Sequence, residues 1–408
     1  MCILGSFYLL GALPGNLLSN LISSRFGRRN TLLFSSVFII GSWALIAAAT
    51  NITMILIGRF LLGLFIGATI PACSLYIAEI SHTDIRGSLM GFIQLTCTGG
   101  IVLSYLIGLG TNWYELAAVG ACTPLLMIVT LPFLPKSPFW LLQKDRSEEA
   151  LESMKKVRGS NYDFQKELDA MKEQLQKKPT AINLMLLLKW SYLKPLLIGL
   201  GTHHAVNMLG GVIFVTFAEP IFLDMGYEEN ATEYALYVGI AQMAGMALYS
   251  LIADKFERST LMIVPSLLMA PCLVGIGTLS YLQRTSYPEV FAHYFPLPVI
   301  LIYVFQFGFG IAVNINVVVM TEILPGSIRD IGTGIGWAFL FTHSFTMVQC
   351  YYPVVNAIGA DMTYWIMGGL TIPHVLFYMF VLPKTKGLTL AEIENKVMKN
   401  KIENKPEP

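Results

Sequence analysis

Eleven apolar runs decide what this chain can become. They lie at about 2–22, 31–50, 53–80, 88–111, 115–134, 195–222, 234–252, 260–282, 295–321, 331–356 and 363–382. A bilayer core about 30 Å thick takes about 20 residues of helix. Within lipid, a helix satisfies its own backbone hydrogen bonds. The runs therefore predict an all-α integral membrane protein with eleven transmembrane helices. Composition agrees. Only 13% of the 408 residues are charged and 54% are hydrophobic, against about 25% charged in soluble domains. A soluble enzyme, a disordered chain and a secreted disulfide scaffold are all disfavoured. The first run has no basic n-region and no small-residue cleavage site, so it reads as a span and not as a signal peptide.

Lys and Arg set the orientation. When the spans alternate sides, 25 of the 27 basic residues fall on one side; Arg284 falls opposite and Arg59 lies inside a span. The basic side is read as cytoplasmic, with the C-terminus inside and the N-terminus outside. The Asn51-Ile-Thr53 and Asn230-Ala-Thr232 sequons then land in outside loops. Residues 136–194 carry 12 Lys/Arg and 8 Asp/Glu. From Ser147 to Leu175 their apolar residues recur every three to four positions, as in short amphipathic helices. The expected domains are an N-terminal bundle of five spans (1–135), this cytoplasmic linker (136–194), a C-terminal bundle of six spans (195–383) and a cytoplasmic tail (384–408). The net charge of +1 gives no basic excess for nucleic acid. Cys2, Cys73, Cys97, Cys122, Cys272 and Cys350 have no metal-ligand spacing and read as free thiols. No metal or cofactor is expected.

Three short matches recur in order. Ser24-Arg-Phe-Gly-Arg-Arg29 is matched by Asp254-Lys-Phe-Glu-Arg258. Glu79 followed by Arg86 is matched by Glu322 followed by Arg329. Pro135-Lys-Ser-Pro138 is matched by Pro383-Lys-Thr-Lys386. Related halves joined by a cytoplasmic segment suggest a transporter built from repeats.

These residues resemble the sugar porter family of the major facilitator superfamily, and the likeness covers almost the whole chain. Besides the repeats, Gly58-Arg-Phe-Leu-Leu-Gly63, Tyr76-Ile-Ala-Glu79, Gln94-Leu95, Gly100, Tyr105 and Pro138-Phe-Trp-Leu-Leu142 match family signatures. The Ser-Pro-Phe-Trp-Leu form looks most like insect facilitated trehalose and glucose transporters. The resemblance implies two pseudo-repeated helix bundles, twelve helices in all, that alternate between outward-open and inward-open states. By this alignment the chain begins at the family's second helix, and the first is missing.

The resemblance further implies a state-dependent clasp between bundles, built from Arg25, Arg28, Arg29, Glu79, Arg86, Asp254, Arg258, Glu322 and Arg329. Ser24, Lys136, Lys384 and Glu257 depart from the family pattern. A clasp with fewer acids is expected to be weaker. Arg59 is an intramembrane charge that costs roughly 2.5–3.5 kcal/mol unless it snorkels or pairs. It begins an Arg-x3-Gly63-x3-Gly67 pattern suited to close helix packing.

Sugars are held by neutral amides and hydroxyls, which bind and release without the desolvation cost of charges. By family position, Gln94, Asn207 and Gln242 are the best sugar ligands, with His203 and Thr342 behind them. Several usual cavity residues are replaced, by Val206, Val212, Val317, Leu340 and Phe341. His203, His204 and His343 lie within spans and read first as helix–helix hydrogen-bonding groups, with a pH-linked step as the alternative. The expected function is facilitative sugar transport without enzymatic chemistry. The alternatives are a non-transporting sugar sensor or inactive truncated homologue, and a proton-coupled symporter. The expected partners are a small sugar and the lipid bilayer of the plasma membrane, with a monomer favoured.

Overall fold

The computed structural model describes residues 2–81, 83–157, 164–177, 187–253, 255–285, 296–325 and 328–385, and among these no strand occurs. The first five predicted runs form α1 (Cys2–Phe26), α2 (Arg28–Ala47), α3 (Ile52–Ile80), α4 (Thr83–Gly108) and α5 (Trp113–Thr130). The charged segment forms α6 (Pro138–Gln143), α7 (Ser147–Val157) and α8 (Phe164–Lys177). The sixth run is divided into α9 (Trp190–Met208), α10 (Gly211–Thr216) and α11 (Ala218–Asp224). There follow α12 (Ala231–Ile252), α13 (Arg258–Arg284), α14 (Leu297–Ile323) and α15 (Arg329–Ile358). The last run is divided into α16 (Ala360–Gly369) and α17 (Thr371–Phe380). Among the described residues, seven helices are long and apolar enough to cross a membrane by length and composition.

The breaks have local causes. Gly210, at φ +79°, turns the chain between α9 and α10, a left-handed conformation natural to glycine. Pro220 lacks the N–H that would reach the Thr216 carbonyl, and the helix restarts at Ala218. Pro373 does the same to the Gly369 carbonyl, and the helix restarts at Thr371. Proline removes an i→i−4 bond and crowds that carbonyl.

By internal contacts the chain divides into two units. One is Phe7–Ile93 with Thr111–Asn183; the other is Met1–Ser6, Gln94–Gly110 and Leu184–Pro408. The helices α6, α7 and α8 thus count with the first unit. They share a core of Trp140, Leu141, Leu142, Ala150, Met154 and Leu168.

Among the described residues, each unit contains helices that approach through their backbones. In the first unit, a Cβ placed on Gly11 or Gly15 of α1 would run into the Phe60 or Leu64 carbonyl of α3; a Cβ on Gly63 or Gly67 of α3 would strike Tyr8 or Ala12 of α1. In the second unit, Gly245 of α12 meets the Phe307 backbone, and Gly310 of α14 meets the Gln242 carbonyl. Without a hydrophobic drive between helices in lipid, such close van der Waals approach is what holds them together.

Candidate functional site: paired ionic locks and a broken helix

In the first unit Arg28 opens α2 and Glu79 stands in the last turn of α3. Arg28 donates from Nε and Nη2 to Glu79 Oε1 at 3.1 and 2.8 Å, and from Nη1 to the Ser23 carbonyl at 3.3 Å. Ser137 Oγ donates to the other carboxylate oxygen, Oε2, and also accepts from Trp140 N at 3.1 Å, capping α6. One guanidinium therefore ties the end of α1 to the end of α3, and one hydroxyl adds α6. A carboxylate at a helix C-terminus opposes the helix dipole, and the guanidinium offsets that cost through charge-assisted hydrogen bonds.

The second unit repeats this arrangement. Arg258 opens α13 and donates to Glu322, in the last turn of α14: Nε to Oε2 at 3.3 Å and Nη2 to Oε1 at 2.9 Å. Its Nη1 donates to the Ala253 carbonyl at 2.6 Å. Thr385 Oγ1 donates to Glu322 Oε2 at 2.9 Å. The two turns differ at the residue before the arginine. Gly27 adopts φ +88° under the Trp140 ring, whereas Glu257 is extended at φ −63°. A side chain is accepted at 257 because that turn needs no left-handed residue.

Each pair forms within its own unit, and Arg25, Arg29 and Arg329 are engaged elsewhere. Arg25 is exposed, beside the Phe26 ring. Arg29 donates to the Leu134 carbonyl at 2.8 Å and the Pro132 carbonyl at 3.4 Å, securing the chain after α5. Arg329 donates to the Leu324 carbonyl at 3.1 and 3.0 Å, closing the end of α14. Asp254 and the Arg86 side chain lie outside the described residues. Ser137 and Thr385 join the locks from matching places in the third repeated match.

The expected sugar ligands all belong to the second unit. Asn207 ends α9 just before the break; its Nδ2 donates to the His203 carbonyl at 3.0 Å and its Oδ1 accepts from Ser344 Oγ at 2.9 Å. Gln242 Oε1 accepts from Gln306 Nε2 at 3.1 Å, and the same Gln306 nitrogen reaches the Gly211 carbonyl at 3.4 Å. Gln306 thereby meets a carbonyl just beyond the break in the helix. Its own Oε1 has no partner, nor has either side-chain atom of Asn316, which is fully buried on α14. His203 is buried, with Nδ1 at 3.0 Å from the Gly199 carbonyl. Thr342 is exposed and bonds back to the Ala338 carbonyl. Gln94 is half-buried on α4, one turn before Thr98. Gln306 and Ser344 escaped the sequence reading, because a lone polar residue in an apolar helix has no visible partner until the helices meet. Arg59 is half-buried in α3, and its Nε has no hydrogen-bond partner.

The family model described as "Sugar (and other) transporter" matches residues 1–397. The chain belongs to the sugar transporter family. It is 29% identical over 396 residues to the facilitated trehalose transporter Tret1 of Apis mellifera ligustica, covering 96% of this chain and 78% of that one. It is 28% identical over 399 residues to the Tret1 protein of Aedes aegypti, covering 97% of this chain and 49% of the relative. The chain thus spans about half the length of some of the curated relatives it matches. Among solved structures it is similar to the xylose transporter XylE from E. coli in an inward-open conformation, at 23% identity and TM-score 0.79, covering 97% of this chain and 89% of that one. It is also similar to the proton:xylose symporter XylE bound to 6-bromo-6-deoxy-D-glucose, at 24% identity and TM-score 0.75, covering 96% and 87%. These likenesses establish the major facilitator fold. The relatives are described as transporters and none as an enzyme.

Proposed function

We propose that this chain moves a small sugar, trehalose, glucose or a close relative, down its gradient across a membrane by alternating access. The observation that carries the proposal is the repeated Arg–Glu–hydroxyl lock. An ion pair that forms in one state and opens in another shifts the balance between them. Two matched locks at the ends of α1 and α3, and of α12 and α14, suit that role. The broken helix α9–α10–α11 suits a binding site, because interrupted helices place backbone groups beside a substrate. Gln94, Asn207 and Gln242 are assigned to the sugar, with His203 and Thr342 as further contacts. The protein is assigned to the plasma membrane as a monomer with its C-terminus in the cytoplasm. Residues 1–135 and 195–383 are its two repeats and 136–194 the linker between them.

Uptake of labelled trehalose and glucose into proteoliposomes holding the full chain tests this reading. Counter-flow that saturates with sugar is expected, and Glu322→Gln should change both its rate and the inward/outward accessibility of the protein. If Glu322→Gln leaves both unchanged, the lock has no part in transport. A second reading, sugar sensing without transport, draws on Asn207 and Gln242 being already engaged within the protein. Saturable sugar binding with no flux would favour it.

A further inference from the structure

Three histidines from three helices of the second unit meet at one place. His204 lies on α9, His343 on α15 and His374 on α17. The His204 ring centroid is 5.0 Å from that of His343 and 5.9 Å from that of His374. Phe339 stacks on the His343 ring at 5.9 Å. The approach of α17 depends on Gly201, where a Cβ would come within 2.6 Å of the Phe377 ring. His374 is buried, His343 half-buried and His204 exposed, so the cluster is open at one member.

A neutral imidazole carries one donor and one acceptor, and buried polar groups are normally satisfied. Here both ring nitrogens of His343 and Nδ1 of His374 are buried without a hydrogen-bond partner. Among the described residues the only ionisable groups acting on His343 and His374 are members of the cluster. His203, next to His204, turns instead to the Gly199 carbonyl. Other titratable groups on the surrounding helices are placed elsewhere. Tyr192 and Lys194 open α9, Arg329 opens α15, and Cys350 lies seven residues beyond His343. On α17, Tyr378 is one turn past His374. On α14, which packs on α9, Glu322 is held by Arg258. On α16, Asp361 is held by Arg284 at 2.8 Å, and Tyr364 meets Tyr351. On α13, which packs on α17, Cys272 bonds to the Leu268 carbonyl and Tyr281 lies against Trp365.

We infer that His204, His343 and His374 form a proton-binding site that holds a single proton shared among three rings. With no carboxylate at hand, a proton gained by one ring is met by a neighbouring imidazole once that ring turns a nitrogen toward it, a bond that the rings do not make in the arrangement described. A second proton would place like charges side by side in a weakly screening interior, and is excluded. Loading the site ties α9, α15 and α17 together; emptying it releases them. Among the described residues no His/Cys/Asp/Glu group has the geometry to hold a metal ion. This inference stands apart from sugar transport and is read without it.

The chain has six histidines, few enough for 15N NMR of the histidine-labelled full chain in lipid, with signals assigned from single His→Gln variants. As the pH is carried from about 8 down through and below the window in which histidine ordinarily titrates, since burial disfavours a charged ring, the three signals should follow one shared curve that sums to one proton. His343→Gln should remove that curve and leave His204 and His374 with separate behaviour. His374→Gln provides the same test if His343→Gln fails to fold. Three independent curves in the unmodified chain, or no movement at all, would overturn the inference. So would Zn2+ binding with one ion per chain that abolishes the titration, since the site would then be a metal site.

Discussion

Arg28 and Arg258 hold the same position in their halves. Each opens a helix, reaches back to a carbonyl five residues earlier, and grips a glutamate in the last turn of another helix. The two locks differ in depth. The side chains of Arg28 and Glu79 are 7% and 11% exposed, against 14% and 18% for Arg258 and Glu322.

That difference predicts an order of stability loss. Removing one partner of a buried pair costs about 3–5 kcal/mol because the other charge is left buried and unpaired. Glu79→Gln should approach the lower end of that range, and Glu322→Gln should cost less because water reaches its arginine. Thermal unfolding of each variant in detergent measures the order. A larger loss for Glu322→Gln would contradict the part assigned to burial.

The hydroxyls give a second comparison. Ser137 both donates to Glu79 and caps α6, whereas Thr385 donates to Glu322. Losing an N-cap costs about 0.5–2 kcal/mol, and losing a hydrogen bond to a charged group about 1.5–3 kcal/mol. Ser137→Ala should therefore destabilise more than Thr385→Val. Hydrogen exchange in 138–143 should rise in the first variant alone.

The match between sequence and structure follows the range of each interaction. Apolar length is a property of single segments, so all eleven runs appear as helix. The helix breaks depended on context: Pro14, Pro71 and Pro124 sit inside continuous helices, while Pro220 and Pro373 accompany breaks. Nothing in the residue type separates them. The repeats exposed Arg28, Glu79, Arg258 and Glu322, because matching residues stand in matching places. They did not reveal that Arg28 would bond Glu79 and Arg258 would bond Glu322. Gln306 and His374 were illegible, since each acquires meaning only beside a residue on another helix.

Glycine contacts make a third prediction. Gly63→Leu should abolish the folded protein, because its side chain would have to occupy the space of the Tyr8 backbone. Backbone cannot yield as a side-chain tip can. Gly41→Ala is the control. Its Cβ meets nothing within 4 Å, and alanine favours a helix over glycine by about 1 kcal/mol. Monodisperse yield after solubilisation should vanish for the first and hold or rise for the second.

The charged segment carries a pH signature. Glu149 accepts from Arg146 and pairs with Lys136 at 3.6 Å. The Arg146 hydrogen bond, then the charges of Arg146 and Lys136, hold its carboxyl below the usual carboxylate range. A group lowered on folding contributes stability above its unfolded pKa and loses it as pH falls through the folded value. Protection of 147–157 from hydrogen exchange should therefore fall as the solution is acidified below the ordinary carboxylate pKa. Glu149→Gln should flatten that dependence. A profile unchanged by the substitution would assign the pH response to another group.

The last prediction separates holding the fold from holding the sugar. Gln306 serves two acceptors, Gln242 Oε1 and the Gly211 carbonyl. Gln306→Leu would leave both buried groups short of a donor, a loss of about 1–3 kcal/mol for each group left unsatisfied. The break after α9 would lose its bond to α14, and the melting temperature should drop markedly. Gln94 is different. It is half-buried, and among the described residues nothing holds its side-chain amide. Gln94→Ala should therefore leave thermal stability nearly unchanged while lowering uptake. A Gln94→Ala protein with normal uptake would remove Gln94 from the sugar site. A Gln306→Leu protein of unchanged stability would show that water replaces the amide bridge, leaving Gln242 free to bind sugar.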